Sequence, residues 1–288
     1  MTLIAPRECV WQIDGLQIAG LAWGNPEMPP MLALHGWLDN AASFNELAPL
    51  LESYHVVALD LTGHGRSSHR SADASYQIWD DLPQILAVVD QLGWDSFALM
   101  GHSRGAIIAS LLSCARPERV SHVVLLDALM PQAVPEEVFA SQLGRFLDQR
   151  IEMLGRTNKL LESIDQGVSM RIGKGLGRAG AEHIAPRSLQ PVEGGYQWTN
   201  DFRLRGASAV KLSSAQVSAA LQGIKAPVLL LLGEEGHGEY DLMAEQAERD
   251  IANVRVATVE GKHHFHLEGD VLATARYIQE FLTQEKLL

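Results

Sequence analysis

A chain of 288 residues, 47% hydrophobic and 20% charged, can bury a substantial apolar core, and this excludes a disordered or fibrous protein. Its formal net charge of −12 argues against a nucleic-acid partner, which draws on a clustered basic surface that this sequence does not advertise. Two cysteines, Cys9 and Cys114, cannot make a disulfide framework, and no run approaches the ~18 apolar residues of a membrane-spanning helix.

From the N-terminus, "MTLIAPRECVWQIDG" has neither a basic start nor a long apolar stretch of the signal-peptide kind, so a cytoplasmic location is expected. "CVWQI" and "LQIAGLAW" flank Asp14-Gly15, a dipeptide suited to a tight hairpin. Short apolar runs follow at "MLAL" (31–34), "HVVALD" (55–60), "FALM" (97–100), "VVLLD" (123–127), "VLLLL" (228–232) and "VRVATV" (254–259). Each reads as a parallel strand buried on both faces. The count gives about eight strands, two antiparallel and the rest parallel, with helices on both sides.

Two of those helices have an apolar face, one over "NAASFNELAPLLES" and one over "IWDDLPQILAVVDQLG". Pro83 suits the first turn of the second. The strand–helix alternation stops after "VVLLDALMP" and resumes at "KAPVLLLL". Residues 131–222 are therefore expected to form an inserted helical cap, with 1–130 and 223–288 as the core.

The most informative stretch is "GHSRG", residues 101–105, between the strand "FALM" and the helical pattern "AIIASLLSCA". A serine hydroxyl becomes a useful nucleophile only when a base takes its proton and a fixed geometry presents it. A sharp strand-to-helix turn gives that presentation, and its crowding demands small residues two positions either side of Ser103, where Gly101 and Gly105 stand. The following helix aims its free N–H groups at the reacting oxygen. In "ALHGWLDN", His35-Gly36 permits a tight turn, so the backbone N–H of Trp37 is expected to join that of Arg104 as an oxyanion hole. The alternative there is a plain loop with His35 bonded in the core.

These residues resemble the α/β-hydrolase family. "HGWLDNAASFNELAPLL", "DLTGHGRSS", "GHSRG" and "GKHHFHLE" together resemble its serine hydrolase-like branch, over nearly the whole chain and least in the cap. The resemblance implies an α/β-hydrolase fold with an eight-stranded, mostly parallel sheet and a lid, and a serine, acid, histidine triad in that chain order. It implies a base in the loop after the last strand, where His263, His264 and His266 lie. The family pattern of G-x-H with a glutamate five residues on selects His263, followed by Glu268, with His264 as second choice. Three close histidines could suggest a metal, but no familiar ligand spacing accompanies them, so neither metal nor cofactor is expected.

The acid departs from the family pattern. Where family members often carry aspartate after the seventh strand, the run is Gly233-Glu234-Glu235-Gly236, and glycine holds the expected position. Asp127, at the end of "VVLLD", matches an alternative site used by some hydrolases and is preferred; Glu235 and then Glu239 follow. His64 and His102 read as structural. In the cap, "GLGRAG" (175–180) matches G-x-G-x-x-G but follows no strand, so no dinucleotide site is expected. In "GYQWTNDFRLRG" (195–206), Trp198 or Phe202 is expected to line the pocket, and Asp201 and Arg203 to brace the cap.

Together these readings predict a serine-dependent, esterase-like hydrolase. Its partner would be a small-molecule ester or thioester cleaved through an acyl-enzyme. Hydrolysis of a carbon–carbon bond, or ligand binding without catalysis, are the alternatives, and the oligomeric state is left open.

Overall fold

The computed structural model describes residues 5–236 and 240–284. The chain opens with an antiparallel hairpin of β1 (Arg7–Ile13) and β2 (Leu16–Trp23), turned by Asp14 (φ 50°) and Gly15 (φ 80°). Both turn residues are left-handed, as a two-residue hairpin loop matching the strand twist requires. Then come β3 (Pro30–Leu34), β4 (His55–Leu59), α1 (Leu82–Gln91), β5 (Phe97–His102), α2 (Arg104–Ala115) and β6 (Val120–Leu126). Pro83 sits in the first turn of α1, where its missing N–H costs nothing.

Beyond β6 the chain leaves the sheet through α3 (Phe139–Glu152), β7 (Leu160–Leu161), α4 (Ile164–Ile172), α5 (Arg178–Arg187), β8 (Leu189–Val192) and β9 (Gly195–Trp198). It returns through α6 (Ser214–Gly223), β10 (Val228–Glu235), α7 (Tyr240–Asp250), β11 (Val254–Lys262), the short α8 (Phe265–Glu268) and α9 (Val271–Gln284). The main sheet has eight strands in the order β1-β2-β4-β3-β5-β6-β10-β11. All pairs from β4 to β11 are parallel. This is the expected α/β-hydrolase architecture.

Strands β3, β5, β6 and the first part of β10 are almost wholly enclosed, which is why they read as unbroken apolar runs. Successive residues feed opposite faces. Leu32, Leu34 and Leu99 pack with α1, α2, α6 and α7; Met31, Ala33, Ala98 and Met100 pack with Phe44, Phe265 and α9. The chain runs outward from β3 in both directions, to β4 on one side and β5 on the other. Such a switch in strand order opens a crevice at the carboxyl ends of the strands.

Three expectations change. Residues 40–53 form two short 3-10 turns, Ala41–Phe44 and Ala48–Leu50, instead of one α-helix. Phe44, Leu47 and Leu51 do share a buried face, but Pro49 lacks the N–H a continuous helix would need there. The excursion is not purely helical, since β7, β9 and β8 make a small antiparallel sheet. Strands of two to four partly exposed residues leave no alternation to read. Finally, Val217 and Leu221 of α6 are buried in the same core cluster as α2, so α6 packs with the core. Among the described residues, no helix is long and apolar enough to cross a membrane.

Candidate active site

Ser103 is the hinge between β5 and α2, with φ 52° and ψ −118°. For a residue with a Cβ this backbone is strained, and it persists because the surroundings fix it. A Cβ on Gly101 would overlap the carbonyl of Gly105, and one on Gly105 would overlap the carbonyl of Leu34. The two glycines let α2 fold back over β3. Ser103 N–H donates to Leu126 O at 3.0 Å, locking the turn to β6, and its side chain is half-buried rather than sealed in the core.

Asp127 directly follows β6 and also has a left-handed backbone, φ 54°. Its carboxylate is buried, 1% exposed. Oδ1 accepts the N–H of Gly233 at 2.9 Å, and Oδ2 accepts Nδ1–H of His263 at 2.6 Å. Residues 136 apart in the chain thus meet at the carboxyl end of the sheet. His102, the residue before Ser103, donates from Nε2 to the carbonyl of His263 at 2.9 Å, so the loop carrying His263 is tied to the turn carrying the serine. Glu235 is exposed and makes no such approach; it pairs in register with Lys262. Glu239 lies outside the described residues.

Gly236 explains the displaced acid. A Cβ there would overlap the Tyr240 hydroxyl and come within 2.6 Å of Asp127 Oδ2 and 2.8 Å of Oδ1, so a side chain at 236 competes for space with the ends of both residues.

The loop after β3 is a tight turn closed by Asp39 N–H donating to Gly36 O at 3.2 Å, with Leu38 at φ 61°. Trp37 occupies the corner, and its indole Nε1 donates to Leu204 O at 2.9 Å. Gly36 is required because a Cβ would lie 2.9 Å from Nδ1 of His102 and 3.0 Å from Oδ2 of Asp39. Arg104 is the first residue of α2, a position whose N–H has no acceptor within its own helix. Its side chain lies 3.5 Å from the Asp81 carboxylate. His35 is the bonded core histidine of the alternative reading: its Nε2 accepts Leu61 N–H at 3.0 Å and its Nδ1–H donates to Gly36 O at 2.7 Å.

A second carboxylate lies behind this loop. Asp39, 2% exposed, receives His264 Nε2 on Oδ2 at 3.1 Å and the guanidinium of Arg171 on Oδ1. Burial works to raise its pKa, but the His264 hydrogen bond and the Arg171 charge outweigh it and hold the carboxyl well below the usual carboxylate range. The ring of His102 lies 4.6, 4.8 and 4.1 Å from those of His263, His264 and His266. Burial, with the charges of neighbouring histidines, pushes His102 and His266 well below the ordinary histidine range. Ligand atoms of Asp39, His102 and His264 fall within 4.8 Å of one another, a spacing that could hold a metal ion, but the guanidinium on Asp39 opposes a cation there.

A family model described as the alpha/beta hydrolase fold matches residues 29–270. The chain belongs to the alpha/beta hydrolase fold family. It is 31% identical to a serine hydrolase-like protein of Dictyostelium discoideum, covering 94% of this chain and 80% of that protein. A serine hydrolase-like protein of Danio rerio is 30% identical, covering 92% and 85%. Among solved structures, a hypothetical protein from Pseudomonas aeruginosa superposes with a TM-score of 0.90 at 36% identity, over 96% of this chain and 99% of that one. A thioesterase domain from the curacin biosynthetic pathway gives a TM-score of 0.83 at 28% identity, over 96% and 100%. Relatives at this level support hydrolase activity.

In this member of the fold family Asp127 meets His263, and most of the contacts that hold the two left little mark in the sequence. His102 appeared only as packing, yet it bonds the main chain of His263. Asp39 and Arg171 gave no signal, being 132 residues apart with no shared motif. Glu268 was noted only as a spacing marker. Its carboxylate accepts the N–H of Gly177 at 2.7 Å just ahead of α5, where the helix dipole favours an anion. The glycines of "GLGRAG" admit it, since a Cβ at 177 or 180 would meet Oε2 at 2.8 or 2.5 Å.

Proposed function

We propose that this chain is a serine hydrolase that cleaves a small ester or thioester through an acyl-enzyme. Ser103 is the nucleophile, His263 the base and then the acid, Asp127 the carboxylate behind it, and the N–H groups of Trp37 and Arg104 form the oxyanion hole. The observation that carries this reading is the 2.6 Å bond from His263 Nδ1 to a buried carboxylate, on a loop fastened to the residue beside Ser103.

Holding Nδ1–H on Asp127 assigns proton exchange to Nε2 and stabilises the imidazolium formed as Ser103 attacks the carbonyl. The Ser103 proton passes to His263 as the serine oxygen bonds to the carbonyl carbon, and the negative charge settles on the former carbonyl oxygen. Collapse expels the alcohol or thiol, which takes the proton from His263. Water, deprotonated by His263, then attacks the acyl-serine; as the carbonyl–oxygen bond to Ser103 breaks, the proton passes from His263 to the serine oxygen and the acid leaves. Each oxyanion donor contributes about 3 kcal/mol to such a transition state.

Residues from 131 to about 213 act as the lid in this reading, with α6 left in the core. Arg203 bonds Asp201 at 2.6 Å and the carbonyls of Arg70 and Ser71 at 2.7 Å, bracing the lid on the loop after β4. A fluorophosphonate probe tests the proposal. The wild-type chain is expected to label covalently, and Ser103→Ala to lose all label while folding normally. Equal labelling of both would overturn the assignment of Ser103.

A further inference from the structure

Between β7, α4, β9 and the loop after β3 lies a cavity of about 410 Å³. Leu38, the neighbour of Trp37, forms part of its wall; Ser103 does not. Leu38 therefore puts the proposed oxyanion loop at the edge of this cavity. Leu161, Met170 and Trp198 give it an apolar flank.

The opposite flank is cationic. Arg156, Lys159, Lys174 and Arg205 line the cavity beside Arg171, and no described carboxylate lines it. In a chain of net charge −12 this is a local reversal of sign. Arg171 is already committed to Asp39. The other four take part in none of the described ion pairs.

Arg205 is the informative one. Its guanidinium is half-buried, stacks over Phe202 at 5.0 Å, and among the described residues donates only to the neutral side chain of Asn158, at 3.3 Å. Arg156 approaches the same Phe202 ring at 5.9 Å, so two guanidinium groups share one aromatic platform. Asp201 is close, but its described hydrogen bonds go to Arg203 and the Tyr76 hydroxyl, and no ion pair with Arg205 is among the described contacts. Burial accordingly lowers the pKa of Arg205, with only partial relief from the Asp201 charge. A half-buried guanidinium without a carboxylate is matched by a planar or tetrahedral oxyanion that can take two of its N–H groups.

We infer that this cavity is a subsite for an oxyanion carried by the substrate, held by Arg205 and Arg156, and that the chain acts on anionic esters or thioesters. The inference rests on the proposed hydrolase reading for its orientation. Trp37 Nε1 bonds the carbonyl of Leu204, next to Arg205, so the oxyanion loop and the cationic flank are joined by one contact. The scissile carbonyl lies at the Trp37 end, the charge at the Arg205 end, and the chain between them along Leu38 and Trp198.

Two pairs of substrates locate the charge. Aryl hemisuccinate against aryl butyrate places a carboxylate on the acyl side; butyryl-coenzyme A against the uncharged butyryl-N-acetylcysteamine places phosphates on the leaving group. The anionic member of one pair is expected to have a kcat/KM higher by about tenfold or more, expressed in KM, and Arg205→Met and Arg156→Met to bring that ratio close to one. Turnover with no preference in either pair, or a preference that survives both variants, overturns the inference. Calorimetric titration of Ser103→Ala with succinate, inorganic phosphate and succinamide separates this from the hydrolase reading. Anion binding weakened by Arg205→Met in a chain that hydrolyses nothing keeps the subsite and removes the chemistry. Ester turnover without anion binding or preference does the reverse.

Discussion

Two adjacent histidines each face a buried aspartate, and the two pairs are built differently. At the end of β6, Asp127 receives one main-chain N–H and His263 Nδ1, with no lysine or arginine among its described partners. Behind β3, Asp39 receives His264 Nε2 and the Arg171 guanidinium. A carboxylate satisfied by a guanidinium is a structural clamp, since its charge is already compensated. One held by neutral donors would, in the proposed reaction, keep its field for an imidazolium formed beside it. Position in sequence does not separate the two pairs; the company each carboxylate keeps does.

The sharpest way to break this comparison is to neutralise each acid in turn. Asp127→Asn is expected to lower kcat by about 10⁴-fold, alongside losses at least as large for Ser103→Ala and His263→Ala, in initial rates on an aryl ester. Asp39→Asn should spare most of the rate and cost about 3 kcal/mol in urea unfolding, because Arg171, with its side chain 11% exposed, is left charged without its partner. A larger rate loss in Asp39→Asn than in Asp127→Asn would make Asp39 the acid of the reaction and Asp127 the clamp.

Acidification probes the histidine stack around Asp39. Burial lowers the pKa of His35, His64, His102 and His266 from the ordinary value of 6.5. The unfolded chain then binds more protons than the folded one below that value. Stability is therefore complete above pH 6.5 and falls as the pH drops beneath it, a decline that calorimetric melting between pH 7.5 and 5 would follow. A melting temperature flat over that range would contradict the burial of these rings as neutral groups.

The smallest expected effect sharpens the account of the acid. Asp127→Gly combined with Gly236→Asp, with Tyr240→Phe to make room, should recover about tenfold of the rate lost in Asp127→Gly alone. No recovery would mean that the 236 side chain cannot reach His263.

How much of the molecule was legible in its sequence follows from the same physics. Strands buried on both faces must be apolar throughout, so β3, β5, β6 and β10 stood out as runs. The serine turn is so crowded that only glycine fits at 101 and 105, and crowding leaves a mark in sequence. Asp127 was legible only in part, because its carboxylate fills space that the missing side chain of Gly236 leaves to it, a relation across 109 residues that no local pattern records. The 3-10 turns at 41–50 were hidden because Phe44, Leu47 and Leu51 satisfy a helical spacing that Pro49 then forbids. Charges arranged by the lid, such as Arg171 and Arg205, follow no period at all and appear only when the chain is folded.

The overlap between position 236 and the Asp127 carboxylate also constrains descent. An acid gained at 236 while Asp127 stands must push aside the end of Asp127 or of Tyr240. In a lineage that moves its carboxylate from one strand to the other, the step carrying both acids is the strained one, so glycine is expected at 236 wherever 127 is acidic.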